Sequence, residues 1–120
     1  MGVELKLIIG SMSSAVDQES IFMSNMAEID LCKVGSSSKL WDIDGLNKND
    51  DFKYYYHNDN SEVFEDGYSQ KFKPVKIQIV IRAIRESFKE DPYCRYRWAL
   101  SLLEEMESDY NDLKVILYWY

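Results

Sequence analysis

His57 is the only histidine of the 120-residue chain, and Asp59 stands two residues on. An imidazole oriented by a carboxylate is a general base in outline. Here the pair falls between Tyr56 and Asn60, in a stretch whose polarity already predicts a turn, and no nucleophile is framed beside it. The two cysteines, Cys32 and Cys94, are far apart and show no ligand spacing, so neither a zinc site nor a Ser-His-Asp triad is framed either. They are expected to be reduced thiols. Asp42, Asp44, Asp50 and Asp51 gather around Gly45. Asp42-x-Asp44-Gly45 followed by Asp51 matches part of a calcium loop, but the first and ninth ligand positions would be Leu40 and Lys48, which cannot serve. A solvated hairpin turn is the preferred reading. Gly10-Ser11-Met12-Ser13-Ser14 lies where a phosphate loop would lie, yet it lacks the further glycines and the lysine of such loops, so an ordinary helix cap is expected.

Charge is distributed unevenly. Residues 1–70 carry 5 basic and 13 acidic side chains, residues 71–97 carry 8 and 3, and residues 98–120 carry 1 and 5, for a total of −7. All four arginines lie between positions 82 and 97. On a helix Arg82, Arg85 and Lys89 share a face, and Arg95 and Arg97 begin the next helix, with Tyr93 and Tyr96 between them. Guanidinium groups suit bidentate binding of phosphate, and tyrosines can stack on a base, so these seven residues form a candidate anion or nucleotide site. The competing reading is that the arginines pair with the chain's own carboxylates. Asp42, Asp44, Asp50, Asp51, Glu62, Glu65 and Asp66 form a candidate acidic face, a carboxylate array of the kind that imitates phosphates to a basic partner.

The elements that must position these groups can be read from periodicity. Ile77, Val80, Ile81, Ile84 and Phe88 recur at helical spacing behind Pro74, which predicts a helix over about 74–89. Val75, Ile77, Ile79 and Ile81 also alternate, but the stripe reaches Phe88, beyond usual strand length. Asp91-Pro92 reads as N-cap and first helical position for a second helix over 92–109, with Tyr96, Ala99, Leu103, Met106 and Tyr110 on one face. Residues 113–120, LKVILYWY, are apolar on both sides of a strand, so that strand is either covered on both faces or offers one to a partner. Strands are expected over 3–9, 27–34, 39–43, 52–56, 61–65 and 68–72, and a short helix over 14–25. The whole predicts a single α+β domain: a mainly antiparallel sheet of N-terminal strand, β-meander and C-terminal strand, with two consecutive helices on one face. The last strand is expected to pair with the first near the sheet centre.

No apolar run is long enough to cross a membrane, and MGVELKLIIG is too short and mixed for a signal peptide, so a cytoplasmic protein without membrane association is expected. Net negative charge argues against direct DNA binding. Catalytic residue types are scarce, no cofactor motif is present, and nine tyrosines suit an interface. In composition the chain looks like the small acidic accessory proteins of phages and mobile elements that inhibit host machinery, or like immunity proteins; no motif carries the likeness. The function expected is a non-catalytic acidic protein-binding module that inhibits its partner. The alternatives are capture of a nucleotide or other phosphorylated molecule by the Arg/Tyr cluster, and a small metal-dependent hydrolase built on Asp42 and Asp44. A homodimer through the C-terminal strand or the helices is a further expectation.

Overall fold

The computed structural model describes residues 3–12, 20–43 and 53–120. Strands β1 (Glu4–Met12), β2 (Ser20–Lys33), β3 (Lys53–Asn58), β4 (Ser61–Val63), β5 (Val75–Lys76) and β6 (Lys114–Trp119) form one sheet in the order β4-β3-β2-β1-β6-β5. Helices α1 (Ile77–Glu90) and α2 (Cys94–Asp109) follow one another between β5 and β6. Pairing is antiparallel except between β2 and β3, where Ser20–Phe22 run parallel to Lys53–Tyr55. This is the α+β architecture the sequence predicts, and β6 does pair with β1, Leu7 lying opposite Leu117.

Alternation on β1 and β6 divides the interior in two. Leu5, Leu7, Ile9, Leu31 and Val115 face the helices and pack with Val80, Ile81 and Ile84 of α1 and Tyr96, Ala99 and Leu103 of α2. Ile8, Met23, Tyr56 and Ile116 face the other way and pack with Phe72. Phe72 belongs to the connection from β4 to β5, which are opposite edges of the sheet, so this segment has to cross it. That crossing accounts for part of LKVILYWY: Val115 and Ile116, on opposite faces of β6, are both buried, while Leu117 to Tyr120 stay partly exposed.

Several boundaries differ from expectation. Gly10 does not end β1; it lies within it, where the ladder skips a residue between Ile9 and Gly10. A Cβ at Gly10 would stand 2.1 Å from the Ser24 carbonyl oxygen, so only glycine allows this approach. The expected helix over 14–25 is strand from Ser20 onward, and its first residues, 14–19, lie outside the described ones. Phe22 and Met26 have helical spacing, but pairing of this stretch with both β1 and β3 outweighs that local signal. Residues 39–42 form a 3-10 turn instead of a strand, because the Ser38 hydroxyl accepts the Leu40 N–H and the Ser87 hydroxyl accepts the Lys39 N–H. Residues 68–72 add no strand; a single bridge joins Glu65 to Lys71. His57 belongs to β3, and the turn is Asp59-Asn60, both at positive φ (50° and 67°), as a two-residue hairpin loop requires. Helix α1 starts at Ile77, since Val75 and Lys76 pair with Val115 and Lys114. Helix α2 starts at Cys94, and Asp91-Pro92 serves as the link between the helices, not as its cap.

Candidate functional site

The candidate anion site does not converge. Arg85 reaches across the seam between the helices to Glu104, 2.7 Å away. Arg95 donates to the Asp30 carbonyl oxygen at 2.7 Å and so ties α2 to β2. Tyr96 is fully buried in the main core, and Tyr93 packs edge-on against it with ring centroids 5.3 Å apart. Arg82 lines a shallow depression with Lys39, Asp42 and Glu86, where two cations meet two carboxylates, a balanced lining with no bias toward anions. Lys89 and Arg97 are exposed and, among the described residues, make no ion pair.

The Arg95 contact belongs to a small polar cluster at the β2 bulge near Leu31, where Cys32 has a φ of 55°. The Asp30 carboxylate accepts the Cys32 N–H at 2.8 Å and the Tyr120 hydroxyl. Burial pushes the Asp30 carboxyl up, but the hydrogen bonds from Tyr120 and Cys32 and the Arg95 charge outweigh it and hold the group below its ordinary range. The Asp30 hydrogen bond, then burial and the Asp30 charge, raise Tyr120 well above an ordinary phenol. Burial, followed by the Asp30 charge, pushes the Cys32 thiol up, which makes it a poorer nucleophile. The cluster anchors the end of β6 to β2.

On the acidic face, Asp42, Glu62 and Glu65 are exposed and make no ion pair among the described residues. Asp44, Asp50 and Asp51 lie outside the described residues. Asp66 is turned inward: it is 9% exposed, and its Oδ1 accepts the N–H groups of Tyr68 (2.8 Å) and Gln70 (3.0 Å). His57 packs against Phe22 and Tyr55 with centroids 5.0 and 5.8 Å away and has no carboxylate partner among the described residues. Among the described residues, no group of three or more His, Cys, Asp or Glu is placed to hold a metal ion. No helix of the described residues is long and apolar enough to cross a membrane.

A site that the linear sequence hides lies where β6 ends. Trp41 of the 3-10 turn stacks on Trp119 with centroids 4.7 Å apart and planes 16° from parallel. The Trp41 indole N–H donates to the Gly35 carbonyl at 3.0 Å, which fixes the ring. Tyr68 lines the same cleft and is carried by the loop that Asp66 folds, and the Gly67 N–H anchors that loop on the Trp119 carbonyl at 2.8 Å. A Cβ at Gly67 would meet the Tyr120 Cα at 2.9 Å, so this close approach also needs glycine. These three aromatics line a cleft of about 360 Å³ together with Val3, Leu40, Ile43 and Leu117, and with Gln70 as a polar lining group. Trp41 and Tyr68 remain 45% and 52% exposed. Trp41 and Trp119 are 78 positions apart and no periodicity links them; the only sequence clue is the Asp66-Gly67 turn dipeptide ahead of Tyr68.

No family model, curated protein or solved structure matches the chain.

Proposed function

We propose that the chain is a non-catalytic protein-binding module that docks a basic surface of a partner protein and blocks it. The observation that carries this reading is the imbalance of pairing. Among the described residues the ion pairs engage only Glu28, Glu104 and Asp112 of the carboxylates, while Glu62 and Glu65 are exposed without an ion pair in a chain of net charge −7. Unmatched carboxylates steer a basic partner and make association depend on salt. Arg85 and Arg95 are engaged within the fold, which leaves less cationic surface to oppose such a partner.

Affinity purification with the native chain at low salt, followed by mass spectrometry, gives the partner, and calorimetry on the purified pair gives its affinity. The variant Asp42→Asn/Glu62→Gln/Glu65→Gln should bind more weakly and lose most of the salt dependence. If affinity and salt slope are both the same in the variant, docking does not use this surface and the reading falls.

A further inference from the structure

We propose that the β2–β3–β4 end of the sheet is a surface for a second copy of this chain, paired about a twofold axis. Strand β3 carries rings on both of its faces. Tyr56 and Met23 point into the second core, so alternation turns Tyr55, His57 and Phe22 to the helix side of the sheet. The helices leave that part bare: α1 and α2 make their main sheet contacts with β2, β5 and β6. Phe22, Tyr55 and Phe64 stand in a row across the sheet, with ring centroids 5.4 and 5.1 Å apart, and belong to neither core. All three stay partly exposed. A sheet face left to water is normally polar, so a row of rings there is a surface to be covered.

Charge selects the occupant. Lys53 lies two residues before Tyr55 and His57 two residues after it, so both share its face. Glu62 is directly opposite His57 in the β3–β4 ladder and faces the same way. Lys53 and Glu62 are exposed and, among the described residues, make no ion pair. The ring row thus has a cation about 7 Å to one side and a carboxylate about 7 Å to the other. A basic partner laid over the rings would match Glu62 and oppose Lys53; an acidic partner or a nucleic acid would do the reverse. A second copy, rotated by half a turn about the row, matches both. Rings meet rings, and Lys53 of each copy reaches the His57–Glu62 end of the other. Such an isologous contact is self-complementary by symmetry. It uses neither the helices nor β6. The patch is only three strands wide, below the standard size of a stable interface, so the dimer is weak, with a Kd of about 100 µM. Well below that concentration the chain is monomeric and Glu62 remains free for the basic partner proposed above.

The test is sedimentation equilibrium of the full chain from about 10 µM to about 1 mM, in about 0.15 M salt, where the repulsion between two chains of charge −7 is screened beyond about 8 Å. The mass should rise from 14.2 kDa toward twice that value. Lys53→Glu and Glu62→Lys should each weaken the dimer about tenfold, since the axis repeats every change. The two substitutions move the net charge in opposite directions, so a loss common to both is not an effect of total charge. The double variant Lys53→Glu/Glu62→Lys should return to the parent Kd. Both positions are exposed, and circular dichroism should show the same fold in all four proteins. In NMR the ring signals of Phe22, Tyr55 and Phe64 should move with concentration. The proposal is overturned by a chain that stays monomeric at about 1 mM, by a dimer indifferent to the single reversals, by a double variant that does not recover, or by concentration-dependent shifts confined to the helices or β6. Docking of a basic partner is measured at about 1 µM chain, where the dimer is absent, so neither outcome decides the other.

Discussion

Replacing Asp66 with alanine tests the link between the β4–β5 crossing and the cleft. The carboxylate accepts two backbone N–H groups, at 2.8 and 3.0 Å, and the loop closes through Asp66 N–H to the Gln70 carbonyl at 3.0 Å and Ser69 N–H to the Asp66 carbonyl at 3.1 Å. A hydrogen bond to a charged acceptor is worth about 1.5–3 kcal/mol net. The loop tip is open to water, since Tyr68 is 52% exposed, and freed N–H groups can rehydrate, so the low end applies to each. Asp66→Ala should therefore cost about 2–3 kcal/mol, and a domain of ordinary stability, about 5–15 kcal/mol, survives that loss. Thermal unfolding should then begin about 8–12 °C lower. Asp66→Asn keeps an oxygen that can accept both N–H groups without the charge, so it should lose only about half as much. Hydrogen exchange gives the local reading: the Tyr68 and Gln70 amides should lose protection while those of the β1–β6 ladder keep theirs. If Asp66→Ala melts within about 2 °C of the parent, or those two amides stay protected, the carboxylate does not hold the loop that carries Tyr68.

Gly10→Ala should cost about 3 kcal/mol, the upper end for overpacking, because its Cβ would stand 2.1 Å from the Ser24 carbonyl oxygen and only backbone movement relieves that; urea unfolding measures it. Tyr96→Phe should leave stability equal or raise it by about 1 kcal/mol in the same assay, since the Tyr96 hydroxyl is buried without a hydrogen-bond partner and its removal ends that penalty. The Asp30–Tyr120 pair predicts two pH limbs. The folded state lowers Asp30 below its ordinary 3.8, so that stabilisation is present above pH 3.8 and lost as pH falls; it raises Tyr120 above 10.0, so that part is present below pH 10 and lost as pH rises. Tyr120→Phe should shrink both limbs, leaving on the acid side the share of Asp112, which Lys114 lowers, and on the alkaline side those of Tyr56 and Tyr93, both raised first by burial. A double-mutant cycle on Arg85 and Glu104 should give a coupling below about 1 kcal/mol that fades with salt, because the two side chains are 57% and 43% exposed.

The parts of the fold legible in the sequence are those fixed by a long, one-sided period. The stripe from Ile77 to Phe88 holds as α1, and the alternation of Leu5, Leu7 and Ile9 against that of Val115 and Leu117 is enough to align β1 with β6. What stayed hidden depends on partners distant in sequence. Strand β2 carries an extra residue near Met26 and another near Leu31, and each slip resets which side chains face the core, so no single period runs through it. Tyr96 belonged on paper both to the α2 stripe and to the Arg/Tyr cluster; burial resolves it as core. Asp66 read as one more surface acid, although an Asp-Gly dipeptide is also where a carboxylate folds its own loop. The cleft was illegible because Trp41, Tyr68 and Trp119 come from three unrelated segments that meet only after the crossing wraps the end of β6.

All four arginines of this acidic chain lie in the two helices, and two of them tie the helices into the fold. Arg85 joins α1 to α2, and Arg95 joins α2 to the bulged strand. Each contact is a single charge-assisted hydrogen bond from one guanidinium nitrogen. Charge that ties helices to each other and to the sheet is partly withdrawn from the outward field, whereas the hairpin acids Glu62 and Glu65 keep theirs. Ionic strength therefore separates the two roles. Salt should slow association with a basic partner steeply through long-range screening, yet barely change the unfolding midpoint, because Arg95 holds a neutral carbonyl and not a charge. A midpoint that fell with salt in parallel with affinity would mean that the acidic surface is itself part of what holds the fold together.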